Sequence, residues 1–155
     1  MDLARNMKID SVSRLLPTPP HQIAPGRPVV EAVDLMREHG VGCVLVCNHG
    51  RLVGILTERD VMKRIFAVER SLSTPVAECM TADPVTVSAK EPIRFAVERM
   101  EQGGYRHLPV VDEKQRLVGI LSIKRIVHYL VEHFPNAIYN LPPNPKAVPQ
   151  KREGA

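Results

Sequence analysis

Thr57 and Asp60 are the two side chains whose types and spacing point most directly to chemistry. A hydroxyl followed three residues later by an acid fits the capping box, in which the hydroxyl caps a helix and the acid bonds back to the backbone. The same hydroxyl and carboxylate can hold the polar groups of a ligand. The spacing leaves both interpretations open, and one pair of residues can do both.

The other reactive residues form no catalytic or metal-binding pattern. His128 and His133 are five residues apart, which misses the four-residue spacing that places two ligands on one helical face. No Ser-His-Asp, Cys-His, paired-carboxylate or P-loop arrangement stands out. Cys43, Cys47 and Cys79 have no C-x-x-C spacing, and we expect them to be buried free thiols. We therefore expect no catalytic residue and no metal site.

Length and charge narrow the class of protein. The 155 residues, 44% hydrophobic and 25% charged, suffice for one globular unit or for two small units that share a core. The net charge of +4 is mild and its signs are interspersed, so we do not expect nucleic acid as the main partner. The N-terminus lacks the apolar stretch of a signal peptide, and no segment approaches the roughly 20 apolar residues of a membrane span. These features predict a cytoplasmic protein without membrane contact.

The sequence contains an internal repeat. The hexapeptide at 51–56, RLVGIL, recurs unchanged at 116–121, an offset of 65. Upstream of a one-residue insertion the offset is 64, and the first-half residues with identical counterparts are Val12, Pro20, Pro28, Ala32, Val33, Met36, Gly40 and Val46. Chance does not produce six consecutive identities at matching positions, so the two halves are copies of one unit.

Each copy has the same predicted elements. Apolar residues at helical spacing, with proline at the start and glycine past the end, predict a first helix at 28–39 and its twin at 92–102. Two apolar runs around a turn predict hairpins at 44–47 with 52–56 and at 108–111 with 117–121. A second helix follows at about 58–68 and at about 124–134. The order in each copy is therefore helix, strand, strand, helix, after a proline-rich lead-in.

A single copy of roughly 55 residues buries too little apolar surface to be comfortably stable alone. We therefore predict an α/β (α+β) fold in which two pseudo-symmetric helix-strand-strand-helix repeats pack sheet to sheet. The first repeat is placed at 8–70 and the second at 71–134. Residues 135–155 contain five prolines among polar residues, and we expect them to form a mobile tail.

Three segments of the chain resemble the tandem CBS-domain family, also called the Bateman module, after the cystathionine β-synthase domain. CMTADPVTV at 79–87 resembles the family's lead-in, and GYRHLPVVD at 104–112 its central strand. GILTERD at 54–60 fits its strand-to-helix signature, which runs from glycine through a hydroxyl residue to an aspartate. In this order, and twice in one chain, the segments are specific. The resemblance covers roughly residues 8 to 134.

The resemblance implies a pseudo-two-fold disc with two clefts between the repeats. Many members bind AMP, ADP or ATP there, and NAD or S-adenosylmethionine are alternative adenosine-containing ligands. For the first cleft it implies that Asp60 holds the ribose, Thr57 the ribose and phosphate, Val85 and Thr86 the adenine, and Arg106 and His107 the phosphates, with Ile55 and Arg59 beside the sugar. Arg106 as a surface charge and His107 as an ordinary strand residue stay open as alternatives.

The second cleft departs from the family pattern. Ser122 keeps the hydroxyl, but Arg125 stands where the aspartate is expected, and a guanidinium has no acceptor for a ribose diol. The opposing lead-in supplies His21, Gln22 and Ile23, while Gly42 and Cys43 replace the basic pair of the first cleft. We therefore expect one ligand site per chain and a degenerate second cleft.

The family further implies a non-catalytic regulatory unit. A ligand that bridges the repeats can act only by binding one conformation more tightly than another. We expect a homodimer formed through the helices at 28–39 and 92–102, and a protein target whose identity the sequence does not give. Two alternatives remain: a ligand-free structural or protein-interaction module, and a nucleic-acid-binding protein that uses basic residues of the clefts or the tail.

Overall fold

The computed structural model of the chain describes residues 2–136. The predicted mobile tail therefore lies, apart from residues 135 and 136, outside the described residues. Within 2–136, the helices are all too short or too polar to cross a membrane.

The elements follow the predicted order, with additional short pieces. The helices are α1 Leu3–Ile9, α2 Val29–His39, α3 Glu58–Val61, α4 Ile93–Gly103 and α5 Ile123–His133. The strands are β1 Gln22–Ile23, β2 Cys43–Asn48, β3 Arg51–Thr57, β4 Thr81–Ala82, β5 Val87–Ser88, β6 His107–Val111 and β7 Leu117–Ser122. The helix predicted at 58–68 is α-helical only in α3 and continues as a π-helical turn, Met62–Phe66.

Glycines end the first helix of each repeat. α2 ends before Gly40 and α4 before Gly104, whose φ angles of 62° and 67° lie in the left-handed region that glycine adopts without penalty. The cap N–H groups donate to the carbonyls of Met36 and Met100. The two helices consequently stop at equivalent positions, with the same left-handed cap before β2 and before β6.

The strands form two sheets, and each sheet pairs with a lead-in segment of the other repeat. The first sheet has the order β1-β2-β3-β4 and the second the order β5-β6-β7. β4 belongs to the lead-in of the second repeat, yet it pairs with β3 of the first. Reciprocally, Thr18 of the first lead-in pairs with Ile120 of β7 through bonds of 3.0 and 2.9 Å. Each repeat is thus completed by a segment of the other.

The glycine of the repeated hexapeptide is required by this exchange. A Cβ at Gly54 would lie 2.3 Å from the Sδ of Met80, and one at Gly119 would lie 2.9 Å from the Cβ of Pro17. The backbone oxygens of Thr81 and Thr18 would also lie 3.1 and 3.2 Å from these Cβ atoms, so a side chain at either position would push against the foreign lead-in. The repeated glycine therefore marks the place where the lead-in of the other repeat lies against the strand.

Three buried clusters hold the two sheets together. One lies under the helices of each repeat, and the lead-ins again cross over: Val12 and Leu15 pack into the second repeat, and Val76 and Cys79 into the first. The third cluster lies between the sheets and joins both repeats; its buried members are Cys43, Leu45, Ile55 and Ile120. This arrangement confirms the predicted sheet-to-sheet packing. The division of the chain at residues 70 and 71 stays a prediction, because each core contains residues from both sides of it.

Candidate functional site

Strand alternation brings the candidate residues to the space between the sheets. On β3, Leu56 packs under the helices while Ile55 belongs to the cluster between the sheets. Because side chains alternate along a strand, Thr57 projects to the same side as Ile55. On β6, His107 lies directly opposite Ser122 of β7. The hydroxyl residues Thr57 and Ser122 therefore lie at the C-terminal ends of β3 and β7, and His107 lies at the start of β6.

The capping interpretation of Thr57 and Asp60 is realised in the structure. The Thr57 Oγ1 accepts a bond of 3.2 Å from the Asp60 backbone N–H, and the Asp60 Oδ2 accepts a bond of 3.0 Å from the Thr57 N–H. The Thr57 hydroxyl also donates to Oδ2 over 3.0 Å. The box thus fixes both side chains at the start of α3.

The second carboxylate oxygen of Asp60 faces the other repeat. The Thr81 hydroxyl lies 3.5 Å from Oδ1, and the Nε of Arg64 lies 3.9 Å from it. The Asp60 side chain is only 13% exposed. One oxygen therefore holds the helix, while the other keeps weak contacts that a ligand hydroxyl can replace.

Asp60 borders a cavity of about 430 Å³ to which both repeats contribute. The predicted residues found on its wall are Ile55, Thr57, Arg59, Asp60, Val85, Arg106 and His107. Thr86 is not on that wall; its backbone carbonyl accepts a bond of 3.2 Å from Arg99. The acid, the hydroxyl and the basic pair are thus brought together.

Several wall residues were not anticipated from the sequence. They are Gly42, Glu58, Lys63, Arg64, Thr81, Ala82, Asp83, Pro84, Gly103, Gly104 and Tyr105. Arg64 lies in the π-helical turn and donates to the carbonyls of Cys79 and Met80 over 3.0 and 2.5 Å. It thereby ties the second lead-in to α3. A signal was present for Tyr105, which directly precedes the basic pair, but its orientation could not be deduced.

The cavity wall carries basic side chains that can hold an anion. Burial lowers the pKa of His107 below its ordinary value, and the cations Lys124 and Arg106 act in the same direction, while Glu58 opposes the shift. His107 is therefore neutral at neutral pH and can donate or accept a hydrogen bond. Positive charge that does not depend on His107 comes from the other basic residues of the wall, which are Arg59, Lys63, Arg64 and Arg106.

A second cavity, of about 710 Å³, lies on the other side of the same residues. Ser122, His21, Gly42 and Cys43 line it, as the repeat predicts. Arg125 does not, although it had been expected to occupy the place of the missing acid.

The remaining two residues proposed for the second cleft also lie away from its wall. Ile23 is buried in the core of the first repeat, and Gln22 is exposed on β1. The Ser122 side chain makes no capping bond to α5. The second cavity thus lacks both the acid and the fixed hydroxyl of the first.

The two cavities share a wall. Gly42, Glu58, Arg106 and His107 border both of them. A Cβ placed at Gly42 would lie 3.5 Å from the His107 ring and 3.6 Å from the Glu58 carboxylate. A ligand that displaced His107 in one cavity would therefore also change the other.

The remaining side chains that could do chemistry are the three cysteines and the potential metal ligands. Cys43 and Cys79 are buried and Cys47 is half-buried, all as free thiols. Burial raises the pKa of Cys43 to about 12 and raises those of the other two, which disfavours the reactive thiolate. Among residues 2–136, no three His, Cys, Asp or Glu side chains are grouped to hold a metal ion.

Comparison with known proteins places two copies of one domain along the chain. Residues 12–67 and 76–132 each match the CBS domain. The CBS domain-containing protein YhcV of Bacillus subtilis is 35% identical over 115 residues, which are 74% of this chain and 81% of YhcV.

Solved structures share the arrangement. The CBS domain protein PAE2072 from Pyrobaculum aerophilum, complexed with AMP, superposes with a TM-score of 0.71 at 28% identity, over 79% of this chain and 99% of the other. The CBS domain pair of protein MJ0100, in complex with 5′-methylthioadenosine and S-adenosyl-L-methionine, has a TM-score of 0.71 at 26% identity, over 78% and 99% of the two chains.

Proposed function

Because this chain belongs to the CBS domain family and contains two copies of the domain in tandem, we propose that it is a regulatory module that binds an adenosine-containing ligand in its first cleft. AMP, ADP or ATP is the class we favour. The observation that carries the proposal is the single cavity in which Thr57 and Asp60 of one repeat face Arg106 and His107 of the other. Its volume of about 430 Å³ lies within the usual range of small-molecule sites.

The Asp60 carboxylate is the proposed ribose ligand. An ionised carboxylate accepts two hydrogen bonds, which matches the vicinal hydroxyls of a ribose. Its Oδ2 is already fixed by the capping box, so the side chain is held in place before a ligand arrives. A preorganised acceptor loses little conformational entropy when it binds. Capping and ribose binding are therefore two uses of one arrangement.

The phosphate end is assigned to the basic side of the cavity. Arg106 offers a planar guanidinium that can bond two phosphate oxygens at once, and Arg59 and Lys63 add positive charge to the same cavity wall. Each charge-assisted bond contributes about 1.5 to 3 kcal/mol. Because Glu58, Asp60 and Asp83 share the wall, the charge is mixed, as a ligand with both diol and phosphate groups requires.

The relatives support the chemical class of the ligand. PAE2072 was crystallised with AMP, and the MJ0100 domain pair with 5′-methylthioadenosine and S-adenosyl-L-methionine. These compounds share an adenosine moiety and differ at the 5′ position. The basic residues at the phosphate end of this cleft favour a 5′-phosphate over a 5′-thioether.

We propose that occupancy is transmitted by a change in the arrangement of the two repeats, without catalysis. A ligand held by α3 of one repeat and β6 of the other binds most tightly to one spacing between them. Only this difference in affinity between arrangements can be passed on to a partner protein.

We further propose a homodimer, with a revised contact surface. The first helices of the repeats, α2 and α4, carry among the described residues one exposed large apolar side chain, Val30. The second helices carry more: Met62 and Phe66 after α3, and Val127 on α5, are each more than half exposed. Exposed apolar side chains of this size favour the second helices of the repeats as the dimer contact.

Titration calorimetry tests the ligand assignment. We expect wild-type protein to bind AMP or ATP with one equivalent per chain and more tightly than NAD or S-adenosylmethionine. Asp60→Ala should weaken AMP binding roughly 100-fold, because the loss of two charge-assisted bonds removes about 3 kcal/mol or more. The matched variant is Arg125→Ala, at the equivalent position of the second repeat, which should bind AMP as the wild type does.

Two outcomes would favour other functions, and a third would contradict the single site. If the titrations of AMP, ATP, NAD and S-adenosylmethionine all give no heat of binding, the ligand-free interaction module is supported. Salt-dependent retardation of single-stranded RNA without any response to nucleotides supports nucleic-acid binding. Two equivalents of AMP per chain would contradict the assignment of a single site.

A further inference from the structure

The wall of the first cavity includes a short stretch of the second lead-in that the sheets do not hold. Before this stretch, the N–H of Asp83 donates to the carbonyl of Val53 over 3.0 Å. After it, Val87 pairs with Val110 of β6. Between these two points, residues 84–86 make no backbone–backbone hydrogen bond with the rest of residues 2–136. This part of the wall therefore needs another support.

A proline explains the missing backbone bond. In the first repeat, the N–H of Leu45 donates to the carbonyl of His21 over 2.8 Å. The equivalent residues of the second repeat, 64 positions later, are Pro109 and Val85. Proline has no N–H, so the Val85 carbonyl receives no bond from β6 at this place. The second lead-in consequently joins its sheet one residue later than the first lead-in does.

A side chain of α4 holds this stretch instead. The Nη1 of Arg99 donates to the carbonyl of Thr86 over 3.2 Å. The guanidinium is fixed by two bonds to Glu91, of 2.6 and 2.7 Å, and Glu91 also accepts a bond of 2.7 Å from the N–H of Ser88. The bond from Arg99 keeps the pKa of Glu91 below its ordinary value against the effect of burial, so the pair stays charged.

The first repeat has no equivalent of this ion pair. The residues 64 positions before Glu91 and Arg99 are Arg27 and Leu35. Leu35 packs against the core of the first repeat. Among the described residues, the side chain of Arg27 bonds to Glu31 of α2, over 2.7 and 2.6 Å, and to no carbonyl of a lead-in. One lead-in is thus held by a backbone bond and the other by a charged side chain.

We propose that Arg99, aligned by Glu91, is a positioning residue of the first cleft. It holds the lead-in at Thr86 in place of the backbone bond that Pro109 removes, and thereby fixes the cavity wall at Val85. Val85 lines the cavity, whereas Arg99 and Glu91 do not, so the pair acts on a ligand only through the lead-in. A wall that is fixed before the ligand arrives loses less conformational entropy on binding. This effect on affinity rests on the nucleotide binding proposed above.

Amide nitrogen NMR relaxation of the ligand-free protein tests the positioning directly. We expect order parameters of about 0.8 at Val85 and Thr86 in the wild type and below about 0.6 in Arg99→Leu, which introduces the residue of the first repeat. Arg27→Leu is the matched control, because it removes an equally bidentate ion pair and should leave both values unchanged. Adding Pro109→Ala to Arg99→Leu should raise both values again, because the new N–H can donate to the Val85 carbonyl.

Calorimetry with AMP measures the consequence for the ligand. Arg99→Leu should weaken AMP binding about tenfold, because the wall must then be ordered when the ligand binds. Glu91→Gln, which keeps the size of the side chain but loses its charge, should weaken AMP binding to a smaller extent. Arg27→Leu should bind AMP as the wild type does. Adding Pro109→Ala to Arg99→Leu should recover part of the lost affinity.

The two measurements separate the positioning role from the proposed ligand. Wild-type order parameters at residues 85 and 86 in Arg99→Leu would overturn the positioning role, whether or not AMP binds. A loss of order that Pro109→Ala does not reverse would contradict the replacement of a backbone bond. If the order parameters fall and recover as expected while the wild-type protein binds no adenosine compound, Arg99 still positions the wall and only the proposed ligand is wrong.

Discussion

The two clefts are built on one backbone pattern, yet they differ in how firmly the start of the second helix is held. In the first repeat, Thr57 and Asp60 form a reciprocal box that fixes a hydroxyl and a carboxylate. In the second, Ser122 makes no capping bond and Arg125 stands in place of the acid. A ligand that enters the first cleft meets fixed acceptors, whereas one that enters the second meets none at the equivalent place.

The comparison shows that fold and site depend on different residues of the repeat. The strands of the two hairpins share the hexapeptide whose apolar residues build the cores and whose glycine permits the crossing of the lead-ins. The residues at the strand ends differ between the repeats without affecting that packing. Pseudo-symmetry of the core is therefore compatible with two clefts of unlike chemistry.

The largest expected difference between the clefts concerns phosphate binding. Arg106→Ala should lower the affinity for AMP roughly 10- to 100-fold, because it removes charge-assisted bonds, and should leave adenosine binding unchanged. Lys124→Ala is the matched variant, since Lys124 lines only the second cavity. Competition calorimetry measures both. Equal losses from the two variants would mean that the phosphate lies in the second cleft.

A smaller difference is expected in the stability of the ligand-free protein. Thr57→Ala removes a capping bond and should lower the free energy of unfolding by about 1 kcal/mol. Ser122→Ala removes a hydroxyl without a capping bond and should change it by less than about 0.5 kcal/mol. Urea unfolding followed by circular dichroism measures both values. Equal losses would show that the two helix starts are held alike.

The smallest expected difference is in the response to pH. The pKa of His107 is lowered in the folded protein from its ordinary value of 6.5, so the unfolded chain takes up a proton at higher pH than the folded one. The stability that this provides is complete above pH 6.5 and is lost as the pH falls through the lowered pKa. Its counterpart Cys43, with a pKa of about 12, does not titrate in this window.

Unfolding measured between pH 7 and pH 5 tests this expectation. His107→Gln should flatten the decrease in the free energy of unfolding over that interval. His49→Asn, in the exposed β2–β3 turn where asparagine tolerates the positive φ of 49°, should leave the slope unchanged. A slope that is the same in both variants and in the wild type would show that His107 does not cause it.

Most of the fold could be predicted from the sequence because the same pattern of elements occurs in both halves of the chain. The predicted helices at 28–39 and 92–102 correspond to α2 and α4 within one residue at each end, and both hairpins were found. The two-residue strands β1, β4 and β5 were not predicted, since strands of this length have no recognisable periodicity. α1, which precedes the repeated elements, was not predicted either.

The candidate site was predictable in part. The motif positions identified Thr57, Asp60, Arg106 and His107, all of which lie on one cavity. Thr86 and Arg125 lie outside the cavities. Thr86 is in irregular backbone just before β5, and Arg125 is in the first turn of α5, where one residue turns the side-chain direction by about 100°. Tyr105 also lines the first cavity, but the direction of its side chain at the end of α4 is not contained in the motif.

The sequence by itself determined that two copies of one α/β unit pack together and that only the first carries an acid at its strand-to-helix junction, because identity and periodicity are properties of the chain. The tertiary structure decided that each lead-in completes the sheet of the other repeat, and that the acid and hydroxyl of one repeat border the same cavity as the basic pair of the other. These outcomes depend on the distances between segments far apart in the chain, which no local spacing of residues contains.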